Sequence, residues 1–184
     1  ILSIAECGAI PGCGYVPYDD EGTKARKNYL IKDGILAGRL HNAQTAAALD
    51  EGVTGNARAV DCTFEPIVRM TTTYIEGGDQ DFDQLIAPIK KGYFIKTIRH
   101  GSGMSTFTIA PSLAYEIVDG KLGRPVQISV LTGSVFETLG LIDGLTKDVT
   151  LLSFVTGGCG KMEQMSLPVG FGGPYVRVSS MNVQ

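Results

Sequence analysis

The chain has 184 residues, of which 43% are hydrophobic and 19% charged. That length and balance suit one well-packed domain and exclude an intrinsically disordered chain. The net charge is −3 and gives no basic footprint for a phosphate backbone, so we expect no direct nucleic-acid partner. No apolar run approaches the roughly 20 residues that span a bilayer, and no membrane partner is expected.

The chain opens on an apolar, strand-like segment that begins with Ile1 rather than Met, which suggests a piece of a longer protein.

Two Asp-Gly pairs predict β-hairpins. Asp33-Gly34 then separates Asn28–Lys32 from residues 35–40, and Asp119-Gly120 separates residues 113–118 from residues 121–126. Asp-Gly supplies the positive φ angles of a type I′ turn.

Helices are fewer than strands in the predicted pattern. Helices are predicted at residues 42–51, 81–91 and 134–142. Gly52 is placed to stop the first helix, Asp81 to cap the second and Pro88 to shorten it, while Ser134 and Glu137 resemble a capping box on the third. We expect the apolar stripe of each helix to pack in a core.

Further strands are predicted at residues 67–75, 106–110, 125–132, 150–155 and 175–183, because these segments are rich in β-branched and aromatic side chains. Strands in succession with scattered helices favour an α+β fold with a mainly antiparallel or mixed sheet, β-hairpins and about three short helices. We expect residues 1–184 to form a single domain.

The least ordinary composition surrounds Cys159. Residues 156–161 and 167–174 together hold six glycines and two prolines. Glycines beside Cys159 would let the backbone bend and present the sulfur, and Lys161 could favour the thiolate. Three interpretations stay open from the residues alone: a nucleophile served by His41 or His100, one metal ligand of an incomplete set, or a structural glycine-rich loop.

A family resemblance runs through most of the chain in order. Its landmarks are Asp19-Asp20-Glu21-Gly22, residues 30–36, Thr54-Gly55-Asn56-Ala57-Arg58, Arg69-Met70-Thr71-Thr72-Thr73-Tyr74, residues 114–117, and Cys159-Gly160-Lys161 followed by Leu167-Pro168-Val169-Gly170. These segments resemble the C-terminal domain of the TldD/PmbA family, which is also described as modulators of DNA gyrase. The cysteine favours a TldD-like rather than a PmbA-like chain.

The resemblance implies a zinc metallopeptidase. In that family an HExxxH helix supplies two histidine ligands and a glutamate base, and the cysteine of the CGK segment is the third ligand, which Cys159 matches. This sequence contains no HExxxH. We therefore expect the missing helix in an upstream part of the protein, no catalytic residue in this fragment, and no activity or zinc binding by the fragment alone.

The resemblance also implies partners and a location. It implies peptides or unfolded polypeptide segments as substrates, a homodimer or a heterodimer with a PmbA-like subunit, and a cytoplasmic protein whose link to DNA gyrase is indirect. The four widely spaced cysteines agree with a reducing compartment. The alternative is a non-catalytic peptide-binding or assembly subunit in which Cys159 binds no metal.

Three other groups are weighed against simpler roles. Residues 19–21 carry three acidic side chains, which we interpret as a turn cap rather than a cation site. Residues 69–74 could form a sheet edge that holds an extended peptide, although strand packing is the simpler role. We expect His41 and His100 to be surface or hydrogen-bonded structural histidines.

Overall fold

A computed structural model describes the backbone of residues 1–184 and the side chains of residues 1–153 and 158–184. The chain divides into two compact units. Unit 1 comprises Ile1–Gly77 and Val149–Pro174, and unit 2 comprises Gly78–Asp148 and Tyr175–Gln184. Each unit is therefore built from two separate stretches of sequence.

Unit 1 is mostly β-structure with one helix. Its elements are β1 (Ile4–Glu6), β2 (Asn28–Lys32), β3 (Ile35–Leu36), α1 (Ala43–Leu49), β4 (Ala57–Arg58), β5 (Ile67–Val68), β6 (Thr72–Ile75), β12 (Thr150–Lys161) and β13 (Gln164–Gly173). Six of the strands form one sheet in the order β12-β13-β6-β1-β2-β3. β4 and β5 pair separately.

The sheet of unit 1 is mixed because its two halves come from distant parts of the sequence. β13 runs parallel to β6, with Gly170 opposite Thr72, whereas β1 pairs antiparallel with both β6 and β2. A Cβ on Gly170 would lie 2.6 Å from Thr72 Oγ1, so this close strand contact requires glycine. The parallel contact brings the C-terminal hairpin beside the N-terminal strands.

Unit 2 holds the second sheet. Its elements are α2 (Phe82–Ile86), β7 (Lys91–Gly103), β8 (Thr106–Val118), β9 (Lys121–Val126), β10 (Leu131–Ser134), α3 (Val135–Gly140), β11 (Ile142–Leu145), β14 (Val176–Val178) and β15 (Asn182–Val183). Five strands form a sheet with the path β15-β10-β8-β7 and β9 paired to β8. β11 pairs antiparallel with β14.

The interior of unit 2 is apolar. Ala114, Ile128 and Leu131 form a buried cluster on which four partly buried hydrophobic side chains pack. In the same unit, the ring centroids of Phe94 and Phe82 lie 4.9 Å apart in an edge-on arrangement. Burial of such side chains is the main favourable contribution to folding.

The structure confirms the α+β class and both predicted hairpins. Asp33 and Gly34 have φ of 52° and 84°, and Asp119 and Gly120 have φ of 46° and 73°. These positive pairs are the geometry that a type I′ turn requires. The single domain predicted for residues 1–184 stays a prediction, because a division into two compact units does not decide whether they fold as one domain.

Two helices begin where the sequence predicts and end earlier. Asn42 caps α1 through a capping box, and Asp81 caps α2 in the same way. α1 ends in a left-handed Asp50 rather than at Gly52. α2 ends before Pro88 because proline cannot continue the helical hydrogen bonds, and Lys91 already belongs to β7.

The predicted third helix differs from the structure in two ways. α3 spans Val135–Gly140, and Ser134 makes no side-chain cap hydrogen bond, so the predicted capping box is wrong. None of its described residues is buried, and Phe136 is 80% exposed. The apolar stripe is therefore not core packing within unit 2.

Several predicted strands are broken or longer than expected. The predicted strands at residues 67–75, 125–132 and 175–183 are each divided into two short strands, and that at residues 150–155 is part of the longer β12. The predicted glycine-rich loop is also wrong, because residues 156–161 lie in β12 and residues 167–173 in β13. Thr156 is among the residues whose side chains lie outside the described set.

Candidate metal centre at Cys159

Cys159 is held in the β12–β13 hairpin of unit 1. It lies opposite Leu167, and the two strands are joined by a short turn at residues 162–163. Gly158 has φ of 142°, and a Cβ there would lie 2.0 Å from the Leu167 carbonyl oxygen. Only glycine can occupy that position without moving the strands, so the residue before Cys159 fixes how the cysteine is presented.

Arg69 is the side chain that contacts Cys159 directly. Its Nε donates to Cys159 Sγ at 3.4 Å, and its Nη2 donates to the Cys159 carbonyl oxygen. Arg69 is 1% exposed, whereas Cys159 is half-buried. A buried guanidinium thus binds both the side chain and the main chain of one partly accessible cysteine.

Asn56 fixes the backbone of Arg69. The Arg69 amide donates to the Asn56 carbonyl at 2.8 Å, and Asn56 Nδ2 donates to the Arg69 carbonyl at 3.1 Å. Asn56 is 1% exposed. Two hydrogen bonds between the same two buried residues hold this part of Arg69 in one place.

Glu6 is the buried acceptor at the base of this network. Its Oε1 accepts from Asn56 Nδ2 at 3.2 Å, from Thr71 Oγ1 at 2.6 Å and from the Thr71 amide. Its Oε2 accepts from Thr73 Oγ1. Because Glu6 is fully buried, these four hydrogen bonds are what make its burial tolerable. The hydrogen-bonded residues Glu6, Asn56, Arg69 and Cys159 are called the polar network below.

Besides Arg69, two basic side chains donate to backbone carbonyls in this part of unit 1. Arg58 donates to the carbonyls of Met70 and Pro168 at 2.6 and 3.1 Å. Burial lowers the pKa of Arg58 below its ordinary value, and repulsion from Arg69 lowers it further. Lys161 Nζ donates to the Val68 carbonyl at 3.0 Å. The cation that contacts the sulfur is therefore Arg69, and not Lys161 as the sequence suggested.

Two polar atoms of the network lack a hydrogen bond. Among the described side chains, Arg69 Nη1 and Asn56 Oδ1 are buried without a partner. An unpaired buried polar atom costs about 1–3 kcal/mol unless a water, a ligand or another part of the protein supplies the partner.

The donor chemistry of Cys159 fits zinc, but the ligand set is incomplete in this chain. A thiolate sulfur is a preferred zinc ligand, and a catalytic site uses three protein ligands with one open position. Among the described side chains, no group of three or more His, Cys, Asp or Glu residues could hold a metal. This chain therefore offers Cys159 as a single candidate ligand.

Neither histidine joins Cys159 among the described contacts. His41 is 2% exposed, and its Nδ1 and Nε2 contact Thr45 Oγ1 and Glu51 Oε2 at 3.0 and 2.8 Å. His41 is thus a hydrogen-bonded structural histidine, as predicted. His100 lies exposed on β7 of unit 2.

The acidic turn before β2 is a cap, as predicted. Asp19 accepts from the amides of Glu21, Thr23 and Ala57, at 3.1, 2.8 and 3.0 Å respectively. Glu21 accepts from the amide of Ala43 at the start of α1 at 2.7 Å. These carboxylates are occupied by backbone donors.

The hypothesis of a peptide-binding sheet edge at residues 69–74 is wrong. β6 pairs with β1 on one side and with β13 on the other. Its main-chain groups are therefore used within the sheet, and strand packing is the role of this segment.

Comparison with known proteins identifies the family. The model of the PmbA/TldA metallopeptidase C-terminal domain matches residues 1–184. This chain belongs to the PmbA/TldD family. Among its relatives, a Synechocystis metalloprotease is 40% identical over 184 residues, 99% of this chain and 39% of that protein. The chain thus spans about two fifths of the length of this relative.

Other members of the PmbA/TldD family show the same partial coverage. A Haemophilus influenzae protein named metalloprotease TldD homolog is 36% identical over 92% of this chain and 36% of its own length. A Saccharolobus solfataricus protein named zinc metalloprotease TldD homolog is 31% identical over 99% of this chain and 41% of its own length. These names agree with the predicted TldD-like character.

Solved structures share the fold. TldE from Thermococcus kodakarensis matches with a TM-score of 0.76 and 20% identity, over 100% of this chain and 39% of that chain. A Thermotoga maritima protein described as a modulator of a DNA gyrase matches with a TM-score of 0.74 and 22% identity, with the same coverage. At this identity the likeness concerns the fold alone.

Arg69 and Glu6 are the site residues that sequence reasoning missed. Arg69 is part of the RMTTTY segment of the family pattern, and it lies 90 positions from Cys159. No local pattern links the two residues, since parallel pairing of β6 and β13 creates the contact. A buried arginine is rare, so Arg69 stands out once its burial is known, but the sequence alone does not reveal that burial.

Proposed function

We propose that Cys159 is a ligand of the catalytic zinc in a metallopeptidase of which residues 1–184 are the C-terminal domain. The observation that supports this role is the presentation of a half-buried sulfur by a glycine-flanked strand, with Arg69 holding the cysteine at 3.4 Å. A preorganised thiolate is what a zinc site needs from one of its ligands.

This chain's residues supply a ligand and its position. Cys159 would bind the metal, and the polar network, through Arg69, would fix the cysteine. Zinc in such a site polarises a peptide carbonyl and lowers the pKa of a bound water. The remaining ligands and the general base would come from residues outside this chain, so these 184 residues alone should be inactive.

We further propose peptides or unfolded polypeptide segments as substrates, and a homodimer or a pair with a PmbA-like subunit as the assembly, in the cytoplasm. The family description as a metallopeptidase supports the substrate class. All four cysteines lie among the described side chains and are free, which agrees with a reducing compartment. Among the described helices, none is long and apolar enough to cross a membrane.

A second candidate function is a non-catalytic subunit. In that case the Cys159 sulfur would serve only as the acceptor of the Arg69 hydrogen bond that the structure contains. The hairpin would then be a structural part of a peptide-binding or assembly surface without metal.

The two functions differ in metal content and activity. We would purify the full-length protein without added zinc, as wild type, Cys159→Ala and the control Cys62→Ala, since Cys62 is exposed. Zinc per chain would be measured by elemental analysis, and peptidase activity on an unfolded polypeptide would be measured with any partner subunit present.

The metallopeptidase predicts about one zinc per chain in wild type and Cys62→Ala, with both zinc and activity lost in Cys159→Ala, because a three-ligand site should not survive loss of its thiolate. Equal zinc content and activity in all three proteins would remove Cys159 from the site. No zinc and no activity in any of them would favour the non-catalytic subunit.

A further inference from the structure

Arg69 is bonded differently from the other buried arginine of unit 1. Arg58 directs its two guanidinium NH₂ groups at carbonyls of two different residues, Met70 and Pro168. Among the described residues, both hydrogen bonds of the Arg69 side chain go to Cys159, one to the sulfur and one to the carbonyl oxygen. Arg58 therefore ties segments together, whereas Arg69 is directed at a single residue.

The cost of this arrangement argues against a purely structural role for Arg69. Its Nη1 is buried without a partner among the described atoms, and its Nε is given to sulfur, which is a weaker acceptor than oxygen. A side chain selected only for stability would place these donors on oxygen atoms. Arg69 instead makes fewer strong hydrogen bonds and directs those it makes at one cysteine.

The network behind Arg69 makes it rigid. Asn56 binds the amide and the carbonyl of Arg69, and Glu6 in turn binds Asn56. Arg69, Asn56 and Glu6 are each at most 1% exposed. The guanidinium therefore reaches Cys159 from a fixed base rather than from a mobile surface loop.

We propose that Arg69 is the positioning residue of the zinc site, and that its guanidinium fixes the orientation of the Cys159 sulfur toward the metal. This inference rests on the proposed role of Cys159 as a ligand. Hydrogen bonds to metal ligands from outside the metal's own shell orient those ligands, and their loss typically costs about 10–100-fold in metal affinity.

The test compares four forms of the full-length protein: wild type, Arg69→Met, Arg58→Met and Cys159→Ser. Methionine keeps much of the arginine stem without its donors. Arg58→Met is the matched control, because it removes a second buried arginine of the same unit whose described hydrogen bonds go to Met70 and Pro168 and not to Cys159. Zinc affinity would be measured by competition with a chelator, and urea unfolding would record the stability of each variant.

Cobalt substitution provides an absorption signal that a change in stability alone would not alter. With Co²⁺ in place of zinc, a bound thiolate gives a sulfur-to-cobalt charge-transfer band in the near ultraviolet. Cys159→Ser should abolish this band. Arg69→Met should weaken or shift it and lower zinc affinity by about 10–100-fold, while Arg58→Met should keep the wild-type band and an affinity near the wild-type value.

The outcomes separate the inference from the function on which it rests. If Cys159→Ser leaves zinc affinity and the cobalt band unchanged, Cys159 is not a ligand and the proposed function fails. If Cys159→Ser abolishes the band but Arg69→Met behaves as wild type, or if Arg69→Met and Arg58→Met lower affinity equally, the function stands and the positioning role is overturned. Should Arg69→Met not fold, Arg69→Lys decides on the same readouts, because lysine keeps the charge but cannot bind the sulfur and the carbonyl together.

Discussion

The interiors of the two units are stabilised in different ways. Unit 2 is centred on Ala114, Ile128 and Leu131, with aromatic rings packed around Phe94. In unit 1 the largest fully buried side chains include Arg69, Glu6 and Asn56. Apolar burial tolerates exchange of one shape for another of similar volume, whereas a buried polar network works only when nearly every member is present.

Unit 1 buries polar groups that position one side chain at a cost in stability. A buried charge or amide contributes little net stability, because its desolvation offsets its hydrogen bonds. Unit 1 nevertheless buries such groups in a continuous path from Glu6 to Cys159, while unit 2 keeps an ordinary apolar cluster. Under the proposed function, unit 1 would be the part that presents the zinc ligand Cys159.

The largest expected effect comes from Glu6→Ala. The substitution leaves buried donors of Thr71 and Asn56 without an acceptor, and each such group costs about 1–3 kcal/mol. We expect the free energy of unfolding of the full-length protein to fall by at least about 3 kcal/mol, with zinc affinity reduced, as measured by urea unfolding and chelator competition.

Glu76→Ala is the control for Glu6→Ala, since Glu76 is a partly exposed glutamate that pairs with Lys27. Its loss should cost less than about 1 kcal/mol and leave zinc affinity unchanged. Equal effects of the two substitutions would contradict the special position of the buried carboxylate.

Leu131→Ala tests the apolar side of the comparison. Leu131 is 6% exposed in the core of unit 2, and truncation of a buried leucine costs about 2–5 kcal/mol. We expect this loss in urea unfolding, with zinc content unchanged in the remaining folded protein. A fall in zinc content parallel to that in Glu6→Ala would erase the distinction between the two units.

Gly158→Ala should act on both stability and the metal. A Cβ at Gly158 would lie 2.0 Å from the Leu167 carbonyl, and alanine rarely adopts the φ of 142° found there. Strained backbone of this kind costs about 1–3 kcal/mol. We expect lower thermal stability and weaker zinc binding, because the strand that carries Cys159 must move.

Gly34→Ala separates the backbone strain from the clash. Gly34 has φ of 84° and no atom within 4 Å of a built Cβ, so only the conformational cost remains. It should lower stability by about 1 kcal/mol without changing zinc affinity. Identical zinc binding by Gly158→Ala and Gly34→Ala would show that the clash does not reach Cys159.

The smallest expected effect concerns Lys27 at high pH. The hydrogen bond with Glu76 raises the pKa of Lys27 above its ordinary value. Because the folded state holds this proton more tightly, the stabilisation is full below the unfolded-state pKa of about 10.4 and is lost as pH rises through the folded-state value. Lys27→Met should remove this pH-dependent contribution, worth about 0.2–1 kcal/mol for an exposed pair.

The measurement is the free energy of unfolding of wild type and Lys27→Met from neutral pH to alkaline pH above 10.4, the ordinary lysine value. Wild type should lose more stability than the variant over this range. A wild-type profile that coincides with the variant after a constant offset would exclude Lys27 as a source of the dependence.

Local signals in the sequence account for the elements that were predicted well. Asp33-Gly34 and Asp119-Gly120 define their turns through φ alone, and Asn42 and Asp81 cap their helices through contacts three residues away. Such interactions are complete within a few residues, so they can be inferred without knowledge of the fold.

The errors come from contacts between distant residues. The glycines of residues 167–173 predicted a loop, yet Gly170 is needed because β6 approaches β13 closely. The apolar side chain of Phe136 predicted a core that unit 2 does not place there. The family pattern indicated Cys159, but its pairing with Arg69 depends on strands brought together only by folding.

Cys159 as a zinc ligand is tested most directly by X-ray absorption at the zinc edge of the full-length protein, wild type against Cys159→Ala. We expect one sulfur neighbour at about 2.3 Å in wild type, the usual zinc–thiolate distance, with nitrogen or oxygen ligands completing the shell. We expect no sulfur neighbour in the variant. A wild-type zinc coordinated by nitrogen and oxygen alone, or a sulfur signal that persists in Cys159→Ala, would contradict the assignment of Cys159 as the metal ligand.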